Sequence, residues 1–124
     1  MDRHSTALLV AGIIGIVVAV LHGVLTHRLM VRPFQQFTGP HVSATIRRLV
    51  PLQLQFSTYN WAIGGIALIV AATRLGEQGR LVTGLLAGSS YLFGAVFNLY
   101  GTRTFHPGWV LYTAALILIA YGLT

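Results

Sequence analysis

The sequence contains few side chains capable of acid–base or metal chemistry, and its histidines are the main candidates for both. The five histidines are His4, His22, His27, His41 and His106. His22 and His27 are five residues apart, so on one helix they would point about 140° apart and could not easily share a metal. His22 and His106 could ligate haem or copper from two helices, but we expect His106 at the membrane interface and His22 roughly two turns deeper. The pattern therefore predicts no metal and no cofactor.

Carboxylates and cysteines, which many hydrolytic and redox sites need, are almost absent. The only acidic side chains are Asp2 and Glu77, and there is no cysteine. This excludes paired-carboxylate glycosidase sites, Ser-His-Asp triads, di-iron carboxylate sites and iron–sulfur clusters. No P-loop, H-E-x-x-H or glycine-rich nucleotide motif occurs. We expect no catalytic residue, although a lipid-modifying enzyme that uses His22 as its base stays open as an alternative.

Composition predicts that these residues are carried by helices in a membrane. The chain is 55% hydrophobic and 8% charged, whereas a soluble domain carries about 25% charged residues. Apolar segments at residues 6–30, 51–72, 81–100 and 108–123 are each near the length that spans a bilayer. The first is too long for a cleaved signal sequence. We predict an all-α fold, a single four-helix transmembrane domain over residues 1–124, with an interfacial connection at 31–50 that could hold a short helix at 41–49.

The basic residues indicate how such a bundle would sit in the membrane. All eight are arginine and the net charge is +6, which we attribute to anchoring at lipid headgroups and not to nucleic-acid binding. Five lie on one side of the predicted bundle and form a candidate rim for anionic groups: Arg28, Arg32, Arg47, Arg48 and Arg103. The other three are partly offset by Asp2 and Glu77. We therefore expect both termini outside the cytoplasm, in a bacterial plasma membrane.

Polar residues inside the apolar segments form the candidate site. Helical projection of the first three apolar segments gives each one a face with small and polar residues that should pack against other helices. The predicted faces are Ala11, Gly15, Ala19, His22 and Thr26 in the first segment, Gln53, Asn60, Gly64, Ala67 and Ala71 in the second, and Gly84, Ala87, Tyr91, Ala95 and Asn98 in the third. His22, Asn60 and Tyr91 lie eight or nine residues from segment ends on the same side, which is about 12–14 Å deep. We expect a neutral His22 beside Asn60 and Tyr91. The full set of candidate ligand-binding residues is His22, Gln53, Ser57, Asn60, Tyr91, Asn98 and Tyr112.

The function of this cluster has several interpretations from sequence. Its side chains could serve only as hydrogen bonds between helices, or they could line a vestibule that opens toward the long connection. The preferred hypothesis is a non-enzymatic module that binds a lipid-like or amphipathic molecule, or the helices of a partner. The alternatives are an accessory subunit of a larger membrane complex, a small homo-oligomeric transporter, and the lipid-modifying enzyme. The expected partners are membrane lipid and either further copies of the chain or a larger membrane complex.

Three short motifs resemble those of a family of small bacterial four-helix membrane proteins of unknown function. Residues 21–33 (LHGVLTHRLMVRP) are similar to a family pattern H-S-x-L-G-E-R followed by an apolar stretch and proline. The paired arginines of residues 46–49 (IRRL) and the His-x-x-Trp element of residues 106–109 (HPGW) are also similar. Two family elements differ, because Thr26-His27 replaces Gly-Glu and residues 53–55 (QLQ) replace Trp-His. The resemblance implies the four-helix fold and no activity.

Overall fold

The protein is entirely helical. A computed structural model describes all residues 1–124 and contains no strand, as the composition predicted. The helices are α1 (Arg3–Thr26), a π-helical segment (His27–Val31), α2 (Arg32–Phe37), α3 (Ala44–Arg74), α4 (Glu77–Thr102) and α5 (Pro107–Gly122). Each of the four predicted apolar segments lies largely within one of α1, α3, α4 and α5.

Three of the helical rods are long and apolar enough to cross a membrane. They are Arg3–Phe37 (which joins α1, the π-helical segment and α2), Ala44–Arg74 and Glu77–Thr102. Helix α5 is also apolar but has 16 residues, and at 1.5 Å per residue it is only about 24 Å long. This is shorter than the hydrocarbon core of a typical bilayer, which is about 30 Å thick.

The connection between the first two rods is much shorter than the sequence suggested. Only residues 38–43 are non-helical, because Ser43 caps α3 by accepting a hydrogen bond from the backbone N–H of Ile46 at 3.3 Å. The predicted short helix at 41–49 is therefore mainly the start of α3. On the N-terminal side of this connection, the π-helical segment His27–Val31 forms a widened turn just before Pro33. Proline lacks an N–H and clashes with the carbonyl four residues earlier, so a widened turn lets the helix continue past it.

The four main helices, α1, α3, α4 and α5, form an up-and-down bundle in which each packs on two neighbours. Helix α1 packs on α3 and α5, and α4 packs on the same two helices from the other side. Both connections at residues 38–43 and 103–106 lie at one end, called the loop end below. The turn at residues 75–76 and both termini lie at the opposite, terminal end. The five arginines of the predicted rim all belong to the loop end and are exposed.

Small residues set the distance between α1 and α3. A Cβ atom built on Gly12 would lie 2.6 Å from the carbonyl oxygen of Gly65, and one built on Gly65 would lie 2.7 Å from the carbonyl oxygen of Gly12. The two backbones are therefore in direct contact, as is common where glycines meet between membrane helices. Beside this contact, Leu8, Leu68 and Tyr91 are fully buried in the core.

Polar contacts close the terminal end. Asp2 caps α1 by accepting a 2.7 Å hydrogen bond from the backbone N–H of Ser5, and this bond lowers the pKa of the Asp2 carboxyl below its usual value. Arg80 lies 3.9 Å from the same carboxylate. It also donates to the backbone carbonyls of Ala71, Ala72 and Leu75, in the last turn of α3 and just beyond it. Arg80 is thus bound by groups of the terminal end, whereas the five arginines of the predicted rim form no ion pair with a carboxylate.

Candidate functional site

His22 links α1 to α3 near the loop end. Its Nε2 atom lies 3.1 Å from the hydroxyl of Ser57 on α3 and 3.1 Å from the hydroxyl of Thr26, one turn further along α1. A hydroxyl both donates and accepts, so either tautomer of the ring can satisfy this nitrogen. The ring also meets the indole of Trp61 edge to face, with 4.6 Å between ring centroids. Its Nδ1 atom has no partner within the protein, which leaves one polar atom of His22 available.

A cavity of about 290 Å³ lies beside His22, between α1 and α5. Its walls are mainly apolar, with Val18, Leu21 and Leu25 from α1 and Leu111 from α5. Leu21 and Leu25 are also 49% and 42% exposed on the outer surface of the bundle, so the cavity reaches the surface between the two helices. Cavities of about 150 Å³ hold one benzene molecule, so this one could hold a group about twice that size.

Three polar side chains line the same cavity: His22, Asn98 and His106. The amide nitrogen of Asn98 donates to the carbonyl of Gly94 on its own helix at 2.7 Å, which leaves the Asn98 oxygen as an acceptor. His106 caps α5 by accepting from the backbone N–H of Gly108 at 3.0 Å through Nδ1. In the neutral ring of His106 the proton is therefore on Nε2, which is a free donor. An apolar cavity with a few polar groups is the usual form of a small-molecule site.

An aromatic cluster forms the floor of the site and continues into the core. The ring centroids of Trp61 and Tyr112 are 4.9 Å apart, and those of Tyr112 and Tyr91 are 5.0 Å apart. Trp61 donates its indole N–H to the carbonyl of Ser90 at 3.3 Å, and Tyr91 donates to the carbonyl of Trp61 at 3.4 Å. The hydroxyl of Tyr112 is buried and has no partner. The cluster fixes one wall of the cavity with large, tightly packed rings.

The residues predicted as one cluster are divided among three places. His22 and Ser57 are hydrogen-bonded to each other, and His22 and Asn98 line the cavity. Tyr91 and Tyr112 are fully buried in the core. Gln53 and Asn60 are exposed on the outer surface of α3. Asn60 donates to the hydroxyl of Ser90 at 2.6 Å, and the contacts of the His22 ring are with Ser57, Thr26 and Trp61.

This division follows from the rotation of α3. The predicted inward face carried Gln53, Asn60, Gly64, Ala67 and Ala71. The buried residues of α3 are Trp61, Gly65, Leu68, Ala71 and Ala72, so Ala71 is the one residue common to both sets. The shift of one residue lets the largest side chain, Trp61, fill the core and lets Gly65 meet Gly12. It also turns Gln55 toward α1, where its amide nitrogen donates to the carbonyl of Gly23 at 3.0 Å. By contrast, the predicted stripes on α1 and α4, which include Gly15 and Gly84, are buried as expected.

Sequence reasoning missed Trp61 altogether and placed His106 at the membrane surface, away from His22. Trp61 is in the middle of an apolar segment, whereas the tryptophans of membrane proteins usually lie at the interfaces. This unusual position could have indicated that Trp61 belongs to the site. His106 reaches the cavity because it caps α5, a position that the adjacent Pro107 does indicate. No three His, Asp or Glu side chains lie close enough together to hold a metal ion.

No protein-family model, curated protein or solved structure matches the chain. The site is therefore defined by its own geometry: an apolar cavity beside His22, Asn98 and His106, at the end of the bundle that carries five exposed arginines.

Proposed function

We propose that this chain is a four-span membrane protein that binds an amphipathic, lipid-like molecule in the cavity between α1 and α5, without catalysing a reaction on it. The observation that carries the proposal is the cavity itself, whose apolar walls surround a small set of polar atoms. An acyl or isoprenoid chain would contact Val18, Leu21 and Leu111. A polar head would meet the free nitrogens of His22 and His106 and the oxygen of Asn98.

The charge at the loop end supports an anionic head. The exposed arginines there have no carboxylate among them, since Asp2 and Glu77 both belong to the terminal end. Arginine binds phosphate and carboxylate through two parallel hydrogen bonds, and basic clusters beside membrane helices attract anionic lipids. The motif resemblance to the small bacterial four-helix family would agree with the same fold, and this family membership is part of the proposal.

Filling the cavity should abolish ligand retention. We expect Leu111→Trp, which adds a large ring to the cavity wall, to remove any lipid that co-purifies in stoichiometric amount with the wild-type protein. The matched control is Ile117→Trp, because Ile117 is on the same helix but is 66% exposed on the outside. Mass spectrometry of lipids extracted from each protein, purified in mild detergent, gives the comparison. Equal lipid content in the two variants would contradict the cavity as the binding site.

The same purified protein can locate the ligand. The chain has two tryptophans, so Trp109→Phe leaves Trp61 as the only one, and Trp61 lines the cavity. Titration with brominated lysophosphatidylglycerol should quench the fluorescence of Trp61 saturably at a low lipid-to-protein ratio. Quenching that rises only in proportion to the bulk concentration of the probe would indicate nonspecific contact.

The topology of the chain is a separate part of the proposal. Five arginines at the loop end against three at the terminal end favour a cytoplasmic loop end, with both termini outside, in a bacterial plasma membrane. Alkaline phosphatase fused to the C-terminus should therefore be active, and green fluorescent protein fused there should be dark. Fusions at residue 39, in the connection at 38–43, should give the opposite pair of signals. A fluorescent C-terminal fusion would contradict this orientation.

A further inference from the structure

A polar pair on the outer surface of the bundle is not explained by the cavity. Asn60 on α3 donates a 2.6 Å hydrogen bond to the hydroxyl of Ser90 on α4, and the Asn60 side chain is exposed. Asn60 is 16 residues after Ala44 and 14 before Arg74, and Ser90 is 13 after Glu77 and 12 before Thr102. Both residues are thus at the middle of their helices, where a bilayer contains no water.

The pair leaves several hydrogen-bonding groups without a partner. Asn60 uses one of its two N–H groups, so its second N–H and its carbonyl oxygen are free. Ser90 accepts from Asn60 and donates to nothing in the chain, so its O–H is also free. Hydrocarbon cannot satisfy these groups, and exposing them to it is costly. The surface therefore requires a cover that provides donors and acceptors at the same depth.

We propose that this cover is the same surface of a second copy of the chain, in a symmetric dimer. Two copies inserted with one topology are related by a two-fold axis along the membrane normal, so each residue meets the partner at its own depth. A second copy therefore brings its Asn60–Ser90 pair to the required position. The Ser90 hydroxyl of each copy can then donate to the Asn60 oxygen of the other, which gives two equivalent hydrogen bonds.

The surroundings of the pair suit a helix–helix interface. Ala67, two turns beyond Asn60 on α3, is small and half-buried, which lets another helix approach. Phe93 and Phe97 on α4 stack on each other with 4.3 Å between centroids and are 58% and 60% exposed. A polar centre is thus bordered by exposed aromatic rings. This inference depends on the proposed membrane embedding and not on the ligand cavity.

Substitution of the pair should weaken the dimer. We expect Asn60→Leu to raise the dissociation constant in lipid bilayers by roughly tenfold or more, because each dimer loses two interhelical hydrogen bonds. Ser90→Ala should weaken it in the same direction. Ser89→Ala is the matched control, since the Ser89 hydroxyl donates to the carbonyl of Leu86 within its own helix at 2.8 Å. Energy transfer between labelled copies, measured across protein-to-lipid ratios, gives these constants.

Cysteine cross-linking tests the interface without altering the pair. The chain has no cysteine, so Ile63→Cys or Phe93→Cys introduces a single thiol next to the proposed axis. Oxidation of the full-length protein in membranes should give a covalent dimer from both variants and none from Ile117→Cys on α5. A wild-type protein that is monomeric at every ratio would overturn the proposal. So would cross-linking of Ile63→Cys only to a different protein. Lipid retention by a monomeric protein would overturn the dimer alone and leave the cavity proposal intact.

Discussion

Replacing Gly65 with alanine should destabilise the bundle by about 2–3 kcal/mol, the upper part of the usual range for overpacking. The added methyl group would lie 2.7 Å from the carbonyl oxygen of Gly12 and 3.0 Å from the backbone nitrogen of Ile16. Backbone atoms in a helix cannot rotate away as a side chain can, so α1 and α3 would have to separate. Gly65→Leu should prevent the two helices from packing at all.

The control for this prediction is another helical glycine with free space around it. A Cβ atom on Gly101, in the last turn of α4, would meet nothing within 4 Å. Gly101→Ala should therefore be neutral or slightly stabilising, since alanine restricts the unfolded chain more than glycine does. Unfolding midpoints in detergent, followed by tryptophan fluorescence, give the comparison. A similar midpoint for Gly65→Ala and Gly101→Ala would show that α1 and α3 are not in backbone contact.

Truncation of Trp61 should reduce the stability of the bundle at least as much as Gly65→Ala does. We expect Trp61→Ala to cost about 3–5 kcal/mol, the range observed when a large buried ring is removed. Trp61 is 4% exposed, contacts the rings of His22 and Tyr112, and donates to the Ser90 carbonyl on α4. Its removal would leave a void between α1, α3 and α5 and would break one link from α3 to α4. Trp61→Phe should recover much of the stability.

Trp109 provides the matched control for Trp61. It lies near the loop end, is only half-buried, and donates its indole N–H to the carbonyl of Thr104 at 3.0 Å. Trp109→Ala should therefore cost on the order of 1 kcal/mol, mainly from one hydrogen bond. Urea or SDS titration of both variants would separate the two values. If Trp109→Ala proved the more damaging change, the aromatic cluster would not be the centre of the bundle.

The fold could be predicted from sequence where small residues mark a single helix face. On α1 and α4 the glycines and alanines recur at helical spacing, and residues such as Gly15 and Gly84 are buried where they were expected. On α3 two faces compete, one with Asn60 and Gly64 and the other with Trp61 and Gly65. The choice between them depends on the contact of Gly65 with Gly12, which belongs to another helix. The residue pattern of α3 alone cannot show which of its residues contacts Gly12 on α1.

The candidate site was predictable only in part for the same reason. His22 and Ser57 were both predicted to belong to the candidate site, but the neighbours expected for His22 at its own depth were Asn60 and Tyr91, and its contact with Ser57 was not predicted. The position of the cavity could not be predicted, because it is lined by residues of four different helices, α1, α3, α4 and α5. His106 was assigned to the surface by counting residues along one helix, whereas its capping bond to Gly108 turns the ring so that it lines the cavity with His22.

The short length of α5 has a consequence for the bilayer around the protein. The first helical rod has 35 residues, or about 52 Å, and α5 has 16, or about 24 Å. In the proposed four-span topology, a helix shorter than the hydrocarbon core would thin the adjacent lipids by several ångströms. The cavity mouth lies between these two unequal helices, so lipids at the mouth would be compressed and their headgroups drawn inward toward His106. Occupancy of the cavity would then depend on acyl-chain length in the surrounding membrane and increase in thinner bilayers.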